Sequence, residues 1–133
     1  MRIARYFGLA VLTLAVASMG VFRAADNDPK YTIKEVMKQA HTPKEEGSKD
    51  PTLFAKVSSG KASKEEMAKL LELYSALPAN KPPQGDADAW KTKTTALVEA
   101  TKAVVDGTEG ADKKLKAAAA CMECHKVFKP AKK

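Results

Sequence analysis

The chain is divided by proline- and glycine-containing breaks into apolar stripes of helical period, a pattern that leaves room for little besides helices. The clearest stripe runs through Met67, Leu70, Leu71, Tyr74 and Leu77. It is announced by Ser63 with Glu66 three residues on, the two partners of a capping box. Pro78 and the segment NKPPQGD stop it. Upstream, Ile33, Val36, Met37, Ala40 and His41 share one helical face, with Thr32 and Glu35 as a second box and TPKEEGSKDP as the break. A shorter piece puts Leu53, Phe54 and Val57 on a common side before Gly60 ends it. Downstream, a cap at Asp86 opens a long helix with Trp90, Thr94, Leu97, Val98, Thr101, Val104 and Val105 on one face as far as Gly107. Some twenty residues would span about 30 Å. A last helix is expected from Gly110 or Ala111, with Leu115, Ala118, Ala119, Met122 and His125 on one stripe.

No segment sustains period-two alternation, and the connections are polar and short. The expected fold is therefore all-α: an antiparallel, up-and-down four-helix bundle. Residues 1–25 fall outside it. Arg2 and Arg5 precede an apolar run from Phe7 to Phe22, which reads as a secretory signal, and the bundle domain occupies 26–133. The run is slightly short for a membrane span, and an uncleaved N-terminal anchor is the alternative. Ala15-Val16-Ala17 fits the small-x-small cleavage rule, whereas a cut after Ala24 or Ala25 places the mature start near Asp26. Losing that segment removes all three arginines, so the formal charge of +7 falls to about +4. The remaining lysines alternate with acids along the helices, which gives nucleic-acid binding no support. Export places the chain in the periplasm, where a lone pair of cysteines is either oxidised or chemically occupied.

Both cysteines and one of the two histidines lie in CMECHKVF, residues Cys121 to Phe128. A redox dithiol, a zinc site and a covalent haem all use such residues. The dithiol is expected beside a βαβ pattern at the opening of a helix, whereas the stripe puts this cluster at a helix end. Zinc wants four ligands, and the chain offers only Cys121, Cys124, His125 and the distant His41. C-x-x-C-H is the attachment signature of c-type haem: two thiols on one helical side add to the two vinyl groups, and the next residue turns its imidazole to the iron. One covalent haem c is the expected cofactor. The run KAAAAC before Cys121 leaves space for something flat, although small residues also suit close helix packing.

A C-terminal C-x-x-C-H-x-x-F-K on the last helix of an exported bundle resembles the class II cytochromes c, cytochrome c prime and its low-spin relatives. The resemblance is specific at Cys121, Cys124, His125 and Phe128; Lys129 stands where many members carry arginine. It implies that His125 is the proximal iron ligand and that the first helix meets the opposite face. Members with an apolar residue there are five-coordinate and bind nitric oxide or carbon monoxide. Those with methionine are six-coordinate electron carriers. Met37 is the favoured ligand, because the start of the first helix neighbours the end of the last in an antiparallel bundle. His41 is further from that end by about 6 Å of rise and is the second choice, with an open iron third. Met67 and Met122 are expected in the core, and Trp90 and Tyr74 as packing residues near the pocket. The function implied is an exported mono-haem electron carrier with redox proteins as partners, a homodimer admitted, and a membrane only if the signal is retained. No enzyme is expected, since no paired carboxylates or nucleophile accompany the cluster; weak peroxidase activity would need an open iron.

Overall fold

The computed structural model describes residues 28–44 and 47–131, in which the stripes fold as six α-helices and one 3-10 turn. No strand occurs among the described residues. The expected leader at 1–25 lies outside them, and within them no helix is long and apolar enough to cross a membrane.

The helix starts follow from the capping chemistry. Helix α1 (Ile33–His41) is opened by Thr32, whose hydroxyl accepts from the Glu35 amide while the Glu35 carboxylate accepts from the Thr32 amide. Helix α2 (Leu53–Ser58) is capped by Thr52. Helix α3 (Lys64–Ser75) repeats the reciprocal box with Ser63 and Glu66, at 3.2 and 3.0 Å. A 3-10 turn over Leu77–Ala79 follows, with Pro78 near its start. Helix α4 (Ala87–Val105) begins at Asp86, whose carboxylate accepts from the Ala89 amide at 2.7 Å. Such caps satisfy amides that have no partner within the helix, and each contributes about 0.5–2 kcal/mol.

Helix α4 packs between α3 and α5 (Ala111–Ala118), and α1, α2 and α3 close against one another, with α2 also touching α5. The core between them contains Val36, Ala40, Val57, Leu70, Leu73, Tyr74, Leu77, Trp90, Leu115 and Phe128. Two buried threonines sit on the inner face of α4 without polar cost. Thr94 donates to the Trp90 carbonyl at 2.8 Å and Thr101 to the Leu97 carbonyl at 2.7 Å. Leu73, absent from the expected α3 stripe, is fully buried, and Leu71 only partly so.

The largest departure is at the C-terminus, where one continuous helix was expected. The alanine run ends α5 at Ala118, the chain turns at Ala119 and Ala120, and α6 (Cys121–Phe128) starts afresh. Alanine favours helix, so the break is imposed from further along the chain. Phe128, at the far end of α6, lies edge-on to Trp90 with ring centroids 5.2 Å apart. The Gln84 side-chain amide donates to the carbonyls of Val127 and Lys129. A helix continued straight from α5 would leave neither contact in place. The break rotates α6, and Met122, expected in the core, is 67% exposed; Val105, on the expected α4 stripe, also faces solvent.

Gly85 completes this anchor. Its φ of +86° suits glycine, and a Cβ there would stand 2.8 Å from the Phe128 ring and 3.2 Å from the Val127 carbonyl oxygen. Gly85→Ala is expected to destabilise the protein by about 1–3 kcal/mol through overpacking and backbone strain together. Urea unfolding should show a larger loss than for Gly60→Ala, where φ is +71° but no atom of the described residues stands within 4 Å.

Candidate functional site

The turn at Ala119–Ala120 brings the first turn of α6 over a cavity of about 330 Å³. Ligand pockets generally run from about 300 to 1,000 Å³. Cys121 is the first residue of α6 and is exposed; Cys124 and His125 follow one turn on and are half-buried. Residues at i, i+3 and i+4 share a helix face, and all three border the cavity. Ala117 to Ala120 form the adjoining wall, where the absence of longer side chains leaves the space.

Opposite them, α1 contributes Met37 and His41, one turn apart. Tyr74 and Leu77 close the side formed by the end of α3 and its 3-10 turn, and Trp90, Thr94 and Leu97 close the side formed by α4. The residues singled out in the sequence are thus brought together, with one exception. Phe128 does not border the cavity; it lies behind Trp90, which does. Tyr74 and Trp90 have both roles, buried in the core and facing the cavity. Trp90 donates its indole N–H to the Leu77 carbonyl at 2.9 Å, which fixes the ring.

Burial sets the protonation of the inner groups. His41 packs against Phe54, with ring centroids 5.1 Å apart, and shares a hydrogen bond of 3.0 Å between Nε2 and the Tyr74 hydroxyl. Burial, assisted by nearby His125, lowers its pKa below 6.5, so the ring is neutral at neutral pH. Burial also drives the Tyr74 hydroxyl far above its usual range, with Cys121 adding to the effect. The Cys124 thiol is raised by burial and by Cys121, against the opposing pull of Lys93.

Lys93 and Leu77 owe their places in the wall to tertiary packing, and no motif marks them as cavity residues, whereas Tyr74 is expected near the pocket. The position of the cysteines also corrects the expectation that the cluster lies at a helix end, since Cys121 opens a helix. No group of three histidine, cysteine or acidic residues among the described residues is disposed to hold a metal ion, so the donors do not converge on a bare ion. A larger groove of about 920 Å³ runs between α1, α2 and α3. Its walls carry lysines, glutamates and prolines but no thiol or imidazole, so chemistry rather than size selects the smaller cavity. Compared with known proteins, the chain matches no family model, no curated protein and no solved structure.

The two thiols should differ in reactivity. In the reduced, unmodified chain, iodoacetamide is expected to label exposed Cys121 first. Cys124 should lag several-fold, its rate still climbing above pH 9.0, the ordinary thiol value, because alkylation needs the thiolate. Peptide mass mapping over a time course reads both rates, and equal labelling at neutral pH would contradict the half-buried placement of Cys124.

Proposed function

We propose that the chain is an exported, periplasmic mono-haem c-type cytochrome that carries electrons, with thioether bonds from Cys121 and Cys124 and His125 as the proximal ligand. The observation that supports it is the shared cavity: both thiols and one imidazole on one wall, and Met37 with His41 on the other. The residues fit the group. The thiols are unpaired, the wall at Ala117 to Ala120 carries only methyl side chains, and the side chains around it are mainly apolar or aromatic. Bound there, a haem supplies one-electron chemistry whose potential depends on axial ligand and burial.

The chain's own residues do the rest. Leu77, Trp90 and Leu97 exclude water, Ala117 to Ala120 leave room, and the α1 side chains offer a sulfur or a nitrogen donor. Met37 is the proposed sixth ligand, and His41 the alternative. The same reading takes α1 with α2, α3, α4, and α5 with α6 as the four legs of an up-and-down bundle. Redox proteins are the proposed partners, and no catalytic role is assigned. A second reading, a redox-active dithiol, has one observation behind it: Cys121 opens α6 and Cys124 lies one turn in, both thiols unpaired and on one helix face.

Mass spectrometry of protein exported by a host with haem-attachment machinery should give the mature polypeptide plus one haem, retained through acid and organic extraction. A haem-free mass short of two hydrogen atoms would transfer the assignment to the dithiol. Replacing Cys121 or Cys124 by alanine should weaken retention. Spectra then decide the ligand: Met37→Ala is expected to turn the haem high-spin and open it to carbon monoxide. If His41→Ala does so instead, the site is bis-histidine. A wild type that is already high-spin and binds carbon monoxide readily makes the protein a gas binder.

A further inference from the structure

The hydrogen bond between Tyr74 and His41 crosses from α3 to α1 at the edge of the cavity that His125 borders. Tyr74 has no exposed surface, and among the described residues its hydroxyl has His41 as its hydrogen-bond partner. The His41 ring is further held by Phe54 on α2, at 5.1 Å, and lies nearly parallel to the Tyr74 ring, at 6.0 Å. Met37, one turn back on α1, borders the same cavity, and among the described residues its thioether has no hydrogen bond to surrender. We infer that Tyr74 selects the ligand that α1 presents to the haem, holding His41 back by its Nε2 and leaving Met37 as the free donor. The inference rests on the cytochrome reading above.

An imidazole reaches furthest from its backbone through Nε2, and whichever of the two partners donates, that nitrogen is taken. Moving His41 to an iron would strip the Tyr74 hydroxyl of its partner in an interior where no buried side-chain polar atom is otherwise left unpaired among the described residues. Methionine ligation leaves the pair intact. Tyr74 is a positioning residue in this account: it acts on the competing ligand, His41, through a hydrogen bond.

The test is Tyr74→Phe in the haem-loaded protein, which keeps the ring and removes the hydroxyl. The expected result is a haem that stays low-spin but exchanges its sulfur-ligated absorption for a bis-imidazole spectrum, with a fall in reduction potential. Tyr74→Phe combined with His41→Ala should regain the methionine signature, which a simple packing defect would not do. A Tyr74→Phe protein with wild-type spectrum and potential overturns the inference, as does a double variant that stays without methionine ligation. A second measurement needs no variant. Nitrogen NMR of the reduced wild type, labelled at histidine, should show the His41 ring free of iron, and an iron-bound His41 overturns the inference while leaving covalent haem in place. Absence of covalent haem from the mass spectrum would instead remove the reading beneath it.

Discussion

The segment Asn80 to Asp86 holds both walls of the cavity. At its front, the Asn80 side-chain amide donates to the Tyr31 carbonyl and to the Ala76 carbonyl, each at 2.8 Å, tying the chain just ahead of α1 to the end of α3. At its rear, Gln84 donates to two carbonyls at the end of α6, and Gly85 admits the Phe128 ring. One short connection therefore fixes where Met37 and His41 begin and where Cys121, Cys124 and His125 end. Trp90, the first buried residue of α4, carries the same restraint into the helical core through Leu77 and Phe128.

The front of this clamp is reinforced by charge. Lys30 and Lys69 both bond the Glu72 carboxylate, and Lys69 also donates to the Tyr31 hydroxyl at 2.8 Å. The carboxyl pKa falls from 4.5 to about 2, chiefly through the hydrogen bond from Lys30 and then that from Lys69. A depressed carboxyl pKa contributes stability above the unfolded value and loses it as pH falls through the folded one, so this tie weakens between about 4.5 and about 2. The groups are exposed, which keeps the contribution small and salt-sensitive.

The helices were largely legible because their starts are written in local chemistry. Thr32 with Glu35, Ser63 with Glu66, and Asp86 each act within four residues, and periodicity marked most of the buried face. Cys121, Cys124 and His125 were legible as a cluster for the same reason, since they lie within five residues of one another. What could not be read depends on contacts across long separations. The break at Ala119 and Ala120 runs against alanine's own preference and answers to Phe128, Trp90 and Gln84. Met122 was therefore assigned to the wrong face. The His41 and Tyr74 pair, 33 residues apart, left no local trace, and the segment around Asn80 and Gln84 looked like linker because its bonds come from side-chain amides reaching distant carbonyls.

The cavity's electrostatics follow from burial. A low-dielectric interior penalises whichever form of a group carries charge, and the inner groups respond in the corresponding directions. His41 is pushed toward the neutral imidazole, while the Tyr74 hydroxyl and the Cys124 thiol are pushed toward their protonated forms. Formal charge at the border comes instead from Lys93 and Glu123, on exposed positions of α4 and α6. For the proposed haem, a neutral interior with opposite charges at its margin makes donor identity the main means of tuning. A sulfur donor from Met37 and a nitrogen donor from His41 differ strongly in that respect. In that proposal the Tyr74–His41 hydrogen bond, which holds one of those two side chains, stands where a small structural change has a large chemical effect.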